Sequence, residues 1–217
     1  VGSSAFGPAG EDVAAVVERH DALLLQRHGD PDSYTLPHQI DHEANIQSLA
    51  DAGCDRILAI GSVGSLDAEL GIGSFVCPHD FIALQLSLTT FDDARGHALH
   101  AFDSPWRSEL LEAWRGSGAI ELCDGAVYWQ TNGPRFETPA EIRLISAHAD
   151  LVGMTLASEC IVASELGIRY AAVCVVDNLA NGLGPEPLSE QELDADRKVN
   201  VGRLRDALDA VLPRLAT

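Results

Sequence analysis

The stretch ASECIVASELGIRYAAVCVV, residues 157–176, changes its hydrophobic rhythm half-way along. Its first ten residues carry apolar side chains at helical spacing, Gly167 stands where a helix C-cap belongs, and residues 170–176 form an apolar, β-branched run. A helix feeding a strand buried on both faces is the building unit of an α/β protein. The same alternation recurs along the chain. Residues 22–26, 56–61, 75–85, 125–131 and 170–176 are predicted as strands, and residues 43–52, 106–116, 138–147, 157–166 and 189–212 as helices, with Gly53 at a second C-cap position. The expected fold is α/β: one domain over residues 1–217 with a mixed, largely parallel central sheet flanked by helices. In such sheets ligands bind where strands run out into loops.

Composition narrows the partners. A chain of 217 residues with 46% apolar content can bury one sizeable core. Against 14 Lys and Arg stand 33 Asp and Glu, and the net charge of −19 repels nucleic-acid phosphates and anionic lipid surfaces. An anionic substrate then requires a local concentration of positive groups and hydrogen-bond donors. Five cysteines, Cys54, Cys77, Cys123, Cys160 and Cys174, form no CxxC pair and no metal-binding spacing. Free thiols in apolar runs suit a reducing, cytoplasmic location. No apolar run reaches the roughly eighteen residues of a membrane span, and no signal peptide is expected. The one methionine is Met154, so residues are expected to precede Val1.

Three strand ends carry unusual residues. LLLQRHGD, residues 23–30, ends an apolar run in Arg27 and His28, which read either as an anion clamp or as a surface pair beside a turn glycine. In AIGSVGSLDAEL, residues 59–70, the small residues Gly61, Ser62, Gly64 and Ser65 are expected to follow the strand, where backbone N–H groups can approach an anion or make an ordinary turn. This is neither a dinucleotide fingerprint nor a P-loop. In NGPRFETPAE, residues 132–141, Thr138, Pro139 and Glu141 spell a capped helix start. Capping leaves Phe136 and Glu137 unexplained. An aromatic face and a carboxylate acceptor at a strand-to-helix turn suit a flat, polar ring.

NGPRFETPAEIR, followed by ADLVGMTLASECIVASELGIRYAAVCVVDNLANGL and preceded by RHG and ANIQSLADAGCDRILAIGSVGSL, resembles the trimeric purine nucleoside phosphorylase and methylthioadenosine phosphorylase family from about Arg27 to Leu183. VGSSAF at the N-terminus resembles the family's first phosphate loop, although the segment joining it to Arg27 is shorter than usual. The resemblance implies a pentosyltransferase that cleaves a purine nucleoside with inorganic phosphate, giving base and ribose 1-phosphate, with no metal or organic cofactor. It also implies a homotrimer, or a dimer of trimers. By the family pattern Ser4, Arg27, His28, Ser62 and Thr155 hold phosphate. Met154, which alone reads as a core residue, lies against ribose. Phe136, Glu137 and Asn178 meet the base, and His100 or His97 reaches a neighbouring subunit's site.

Glu137 together with Asn178 implies a 6-oxopurine, because hypoxanthine and guanine present an N1–H that a carboxylate accepts, whereas adenine presents a lone pair. Such a site discriminates by about 10⁴-fold. Relatives that prefer 6-aminopurines commonly carry Asp at the place of Asn178. Three departures bear on this reading. Asp177 stands where Thr is usual and would suit an amino group. Ser158 replaces a proline and is expected to loosen the turn beside Thr155. Glu190 falls where the sugar 5′ position is met, and reads either as a 5′-hydroxyl acceptor or as a charge at a helix N-terminus. A methylthioadenosine phosphorylase, a nucleoside hydrolase and a non-catalytic nucleoside binder are the competing readings. Retention of Arg27, His28 and Thr155 argues against the hydrolase.

Overall fold

The alternating run at the centre of the chain becomes a sheet with helices on both faces. A computed structural model describes residues 2–5, 20, 22–29, 34–184 and 190–215, with the side chains of residues 2–5 and 190–198 outside the description. The strands are β1 (Gly2–Ala5), β2 (Leu23–Gln26), β3 (Arg56–Ser65), β4 (Phe75–Cys77) and β5 (Asp80–Ile82). They continue with β6 (Leu122–Asp124), β7 (Val127–Gln130), β8 (Leu151–Gly153) and β9 (Arg169–Leu179). The α-helices are α1 (His42–Asp51), α2 (Ser104–Ser117), α3 (Pro139–Ile145), α4 (Leu156–Glu165) and α5 (Glu190–Leu215).

Among the described residues nine strands join one sheet in the order β5-β7-β8-β3-β9-β4-β6, with β1 against β3 and β2 beyond β1. Six pairings are parallel, and β3–β8 and β4–β9 are antiparallel, so the sheet is mixed and largely parallel as expected. Along β9, period-two alternation sends Val173 and Val175 to one core and Ala172, Cys174 and Val176 to the other. Trp106, Leu110 and Trp114 of α2 with Leu208 and Val211 of α5 cover the first. Ile46 and Leu49 of α1 with Leu156 and Cys160 of α4 cover the second. Among the described residues no helix is long and apolar enough to cross a membrane.

Several expected boundaries move. Predicted as one strand, residues 75–85 divide into β4 and β5, which lie in different parts of the sheet. Pro78 between them has no N–H to give to a ladder. β3 runs on through Ser65, so Ser62 and Gly64 lie within the strand rather than in a loop after it. β9 likewise continues to Leu179 and carries Asp177 and Asn178.

The edge of β3 facing away from β9 is shared by two partners. β1 covers Ile57 to Ala59, and β8 covers Gly64 and Ser65. Among the described residues neither reaches residues 60–63. This leaves a notch in the sheet at a change of strand direction, where an open α/β sheet binds its ligands.

Gly61 lies in the notch against α4. A Cβ there would stand 2.8 Å from Cδ1 of Leu156, which is fully buried. Gly61→Ala is expected to lower the unfolding free energy by about 1–3 kcal/mol through overpacking, read from urea denaturation.

Candidate active site

Four elements converge on the notch. Beyond β2, Gly29 N–H donates to the Gln26 carbonyl at 3.0 Å, and this turn sends Arg27 inward. One Nη of Arg27 donates to the Ile60 carbonyl at 2.9 Å, on the open edge of β3. Its Nε and other Nη donate to Oε1 and Oε2 of Glu159 at 2.5 and 3.0 Å. Glu159 lies one turn into α4, where its N–H donates to the Thr155 carbonyl at 3.2 Å. The Tyr170 hydroxyl donates to Glu159 Oε2 at 2.7 Å. Both ionic side chains are wholly enclosed. Burial pushes the Glu159 carboxyl up, but attraction to Arg27 and hydrogen bonds from Arg27 and Tyr170 overcome it and hold the group below its usual range.

His28 follows on the same turn. Its ring stacks on Tyr34 with centroids 4.9 Å apart and planes 3° from parallel. Nδ1 lies 2.8 Å from the Thr35 carbonyl, which can only accept, so Nδ1 carries the proton. Burial, aided by the Arg27 charge, lowers the imidazole from 6.5 to about 4. The ring is neutral at physiological pH. In that tautomer Nε2 is an acceptor, so the donor that the sequence offered at His28 goes to Thr35.

Thr155 is the N-cap of α4, but its hydroxyl makes no capping bond. The amides of the first turn are held instead by β7. Tyr128 Oη accepts from Thr155 N–H at 3.2 Å and Leu156 N–H at 3.4 Å, and Gln130 Oε1 accepts from Ala157 and Ser158 N–H at 2.8 and 3.1 Å. Gln130 Nε2 also donates to Ser158 Oγ at 2.6 Å. Serine in place of proline therefore gives this turn another tether. Thr155 stands one helical turn before Glu159, the partner of Arg27, and the helix start it caps packs on Gly61 in the notch; the Ser62 side chain alternates to the opposite face of β3, which leaves its backbone on the notch edge.

Met154 links this helix start to the second half of the site. It packs on Gly133, where a Cβ would stand 2.5 Å from its sulfur and where φ is +61°. From Gly133 the chain runs to the expected capping box. Thr138 N–H donates to Glu141 Oε2 at 2.7 Å, and Glu141 N–H donates to Thr138 Oγ1 at 3.2 Å. Arg135 also binds Glu141 at 2.8 Å, and that hydrogen bond first holds the carboxyl down at about 2. Glu137 just before the cap is buried. Its Oε1 accepts from Thr131 Oγ1 at 2.6 Å, and its carbonyl accepts from Asn181 Nδ2 at 3.0 Å. A cavity of about 490 Å³ opens beside this loop, lined in part by Trp129, Thr131, Gly133, Arg135, Glu137 and Leu144. Phe136 is 46% exposed at the turn.

Asn178 reaches the site through a β-bulge. Val63 pairs with Val176 and Gly64 with Asn178, so Asp177 has no partner across the ladder. The Asn178 amide lies over Gly64 and donates to the Leu179 carbonyl at 2.8 Å. Asp177 is buried, and its Oδ1 accepts from Asn200 Nδ2 of α5 at 2.7 Å.

The remaining expected residues lie apart. His100 Nε2 is 3.6 Å from Glu165, which also accepts from the hydroxyls of Thr89 and Thr90. Glu165 ends α4, whereas Thr155 caps its start, a separation of about 15 Å at helical rise. Within one subunit His100 does not meet the site. The Ser4 and Glu190 backbones belong to β1 and α5, but their side chains lie outside the described residues. Sequence reading missed Glu159, Gln130, Thr131 and Asn181. Glu159 was detectable, because a carboxylate in the buried run LASECIV needs a buried partner. Among the described residues no His, Cys, Asp and Glu group could hold a metal ion.

A family model described as the phosphorylase superfamily matches residues 15–213. The chain belongs to that superfamily. It is 38% identical to a probable 6-oxopurine nucleoside phosphorylase of Archaeoglobus fulgidus, over 90% of this chain and 79% of the relative. It is 37% identical to a probable S-methyl-5′-thioinosine phosphorylase of Methanothermobacter thermautotrophicus, over 89% of this chain and 69% of that one. In fold it is similar to methylthioadenosine phosphorylase from Schistosoma mansoni in complex with adenine, with a TM-score of 0.81 and 23% identity over 97% of this chain and 90% of that chain. The superfamily fold thus sets the notch, the Met154–Thr155 link and the β7–α3 loop side by side.

The buried Arg27–Glu159 pair generates a stability prediction. Glu159→Ala leaves an enclosed guanidinium without its carboxylate and is expected to cost about 3–5 kcal/mol in chemical denaturation. A second concerns pH. Because His28 has a lower proton affinity folded than unfolded, the unfolded chain binds more protons between about pH 4 and 6.5. Stability is therefore lost as pH falls through that window, and the depressed Glu159 acts in the same direction at the acid end. Thermal melts of wild type and His28→Gln across this range should show a shallower acid slope for the variant.

Proposed function

We propose that the chain is a phosphate-dependent purine nucleoside phosphorylase for 6-oxopurine nucleosides, of the inosine and guanosine or 5′-methylthioinosine type. One observation carries the reading: consecutive residues Met154 and Thr155 join the donor cluster of the β3 notch to a loop that presents a buried, hydrogen-bonded carboxylate. The names of the Archaeoglobus and Methanothermobacter relatives agree with it.

Glycosidic cleavage builds positive charge on the sugar and negative charge on the departing purine. The protein must hold phosphate in line with the anomeric carbon and receive the charge of the base. Arg27, the Ser62 backbone and Thr155 hold phosphate, with Ser4 on the neighbouring strand β1, and the His28 Nε2, an acceptor at neutral pH, takes a hydrogen bond from the protonated phosphate oxygen. Met154 lies against the sugar. Glu137 accepts N1–H, Asn178 donates to O6 or N7, and Phe136 covers the ring. Phosphate is a co-substrate, and the chemistry requires no metal or organic cofactor.

The Asp177 contact to Asn200 gives no support to an adenine-type reading, because the carboxylate that would take a 6-amino group is engaged by α5. The assembly we propose is a homotrimer in which the loop of His97 and His100 meets a neighbouring subunit; Leu99, 97% exposed between those two histidines, is consistent with a contact there. Five free cysteines support a cytoplasmic setting.

Incubation with inosine, 5′-methylthioinosine and their adenosine counterparts, with and without phosphate, followed by chromatography, tests the reading. Phosphate-dependent release of hypoxanthine with little adenine is expected, and adenine release at an equal rate overturns it. Asn178→Ala should lower kcat about 100- to 1000-fold, with phosphate KM little changed.

A further inference from the structure

We infer that Thr131 and Asn181 are positioning residues that set the aim of Glu137 and its distance from Asn178, and thereby the choice of purine. The inference rests on the proposed phosphorylase reading and goes beyond it, because it assigns selectivity to two side chains that need not touch the base.

The Thr131 hydroxyl is surplus to the fold. Its backbone N–H already donates to the Gly153 carbonyl at 2.9 Å and extends the β7–β8 register by one residue. A valine would fill the same volume. The hydroxyl instead donates at 2.6 Å to Oε1 of Glu137. A carboxylate bonded at one oxygen has its last torsion restricted, and its other oxygen keeps its lone pairs in a set direction for a ligand. Without that bond, Oε1 would be left buried without its donor, or the side chain would turn to recover one.

Asn181 acts on the same residue from the other side. It follows Asn178 by three positions at the exit of β9, and its amide donates to the Glu137 carbonyl at 3.0 Å. The next residue, Gly182, packs on Pro139 so closely that a Cβ would stand 2.9 Å from the proline ring. The exit of β9 and the start of α3 are thus fastened at two adjoining points. One fastening lies on the residue proposed to read N1–H, and both lie just beyond the residue proposed to read O6 or N7. Their separation is fixed without ligand. A ring that offers a donor at N1 and an acceptor at position 6 matches this fixed pair, whereas a 6-aminopurine reverses both polarities.

The test measures hypoxanthine and adenine binding by titration calorimetry, and steady-state phosphorolysis, for wild type, Thr131→Val, Thr131→Ser and Asn181→Ala. Thr131→Val is expected to weaken hypoxanthine binding and lower kcat/KM for inosine by 10- to 100-fold, leaving phosphate KM within about twofold. Thr131→Ser should recover to within about threefold, and Asn181→Ala should show the same selective loss. Thr131→Val that binds hypoxanthine as wild type does, Thr131→Ser as impaired as Thr131→Val, or equal loss of phosphate and purine binding would each overturn the inference alone. Wild type that does not bind hypoxanthine would overturn the parent reading, and this inference with it.

Discussion

The enclosed ion pair between Arg27 and Glu159 is the constraint around which the two halves of the molecule are arranged. It ties the end of β2 to the first turn of α4, and through Tyr170 to β9, while a third guanidinium contact rests on the open edge of β3. Taking two charges out of water costs several kcal/mol per ion, so a pair of this kind is a weak source of stability. Its return is geometric. Four hydrogen bonds in fixed directions leave few ways to place α4 relative to the notch, and Thr155 is placed with it. The first-turn amides of α4 are meanwhile held by Tyr128 and Gln130, so the helix start is tied to β7 as well as to β2.

From that placement the base side follows. Met154 precedes Thr155 and fits a glycine with a left-handed backbone, so the β7–α3 loop has to pass directly over it. The bulge at Asp177 then sends two consecutive acid-amide side chains different ways, Asp177 to Asn200 in α5 and Asn178 over Gly64. In an unbulged strand Asp177, not Asn178, would pair with Gly64. One extra residue in the strand therefore decides whether an acid or an amide stands at the proposed base-reading position.

The helices and the two central strands could be read from sequence because their signals are local. Thr138, Pro139 and Glu141 cap α3 as their order indicates, and the period change at Gly167 marks the end of α4. Strands of three residues such as β6 and β8 have no period to detect, and they exist because β4 offers β6 an edge and because β7 and β3 hold β8 between them. β3 looked short because Gly61, Ser62 and Gly64 have poor strand propensity, and their pairing with β9 overrides it. Arg27, His28, Ser62 and Glu137 were visible as unusual residues at expected strand ends, whereas Asn178 came only from the family resemblance. Which residues they pair with was not visible, since Arg27 and Glu159 are 132 positions apart and Glu137 and Asn181 are 44, although the buried carboxylate of Glu159 signalled its need for a partner.

The net charge of −19 poses the last question, because an acidic protein is proposed to bind phosphate. Charges beyond a Debye length, about 10 Å at 0.1 M salt, act weakly across solvent. The local field of an enclosed notch therefore outweighs the sum over the surface. Within the notch, however, the Arg27 charge is matched by Glu159, and His28 is neutral at physiological pH. The cluster is close to electroneutral, unlike a patch of exposed lysines. Phosphate proposed to bind there would depend on directed donors, the Thr155 hydroxyl and backbone N–H groups on the edge of β3, with the guanidinium held in place by Glu159 and the Ile60 carbonyl. Hydrogen-bond direction, more than charge, then distinguishes phosphate from other anions. It also holds phosphate in one orientation, which an in-line attack on a sugar carbon requires.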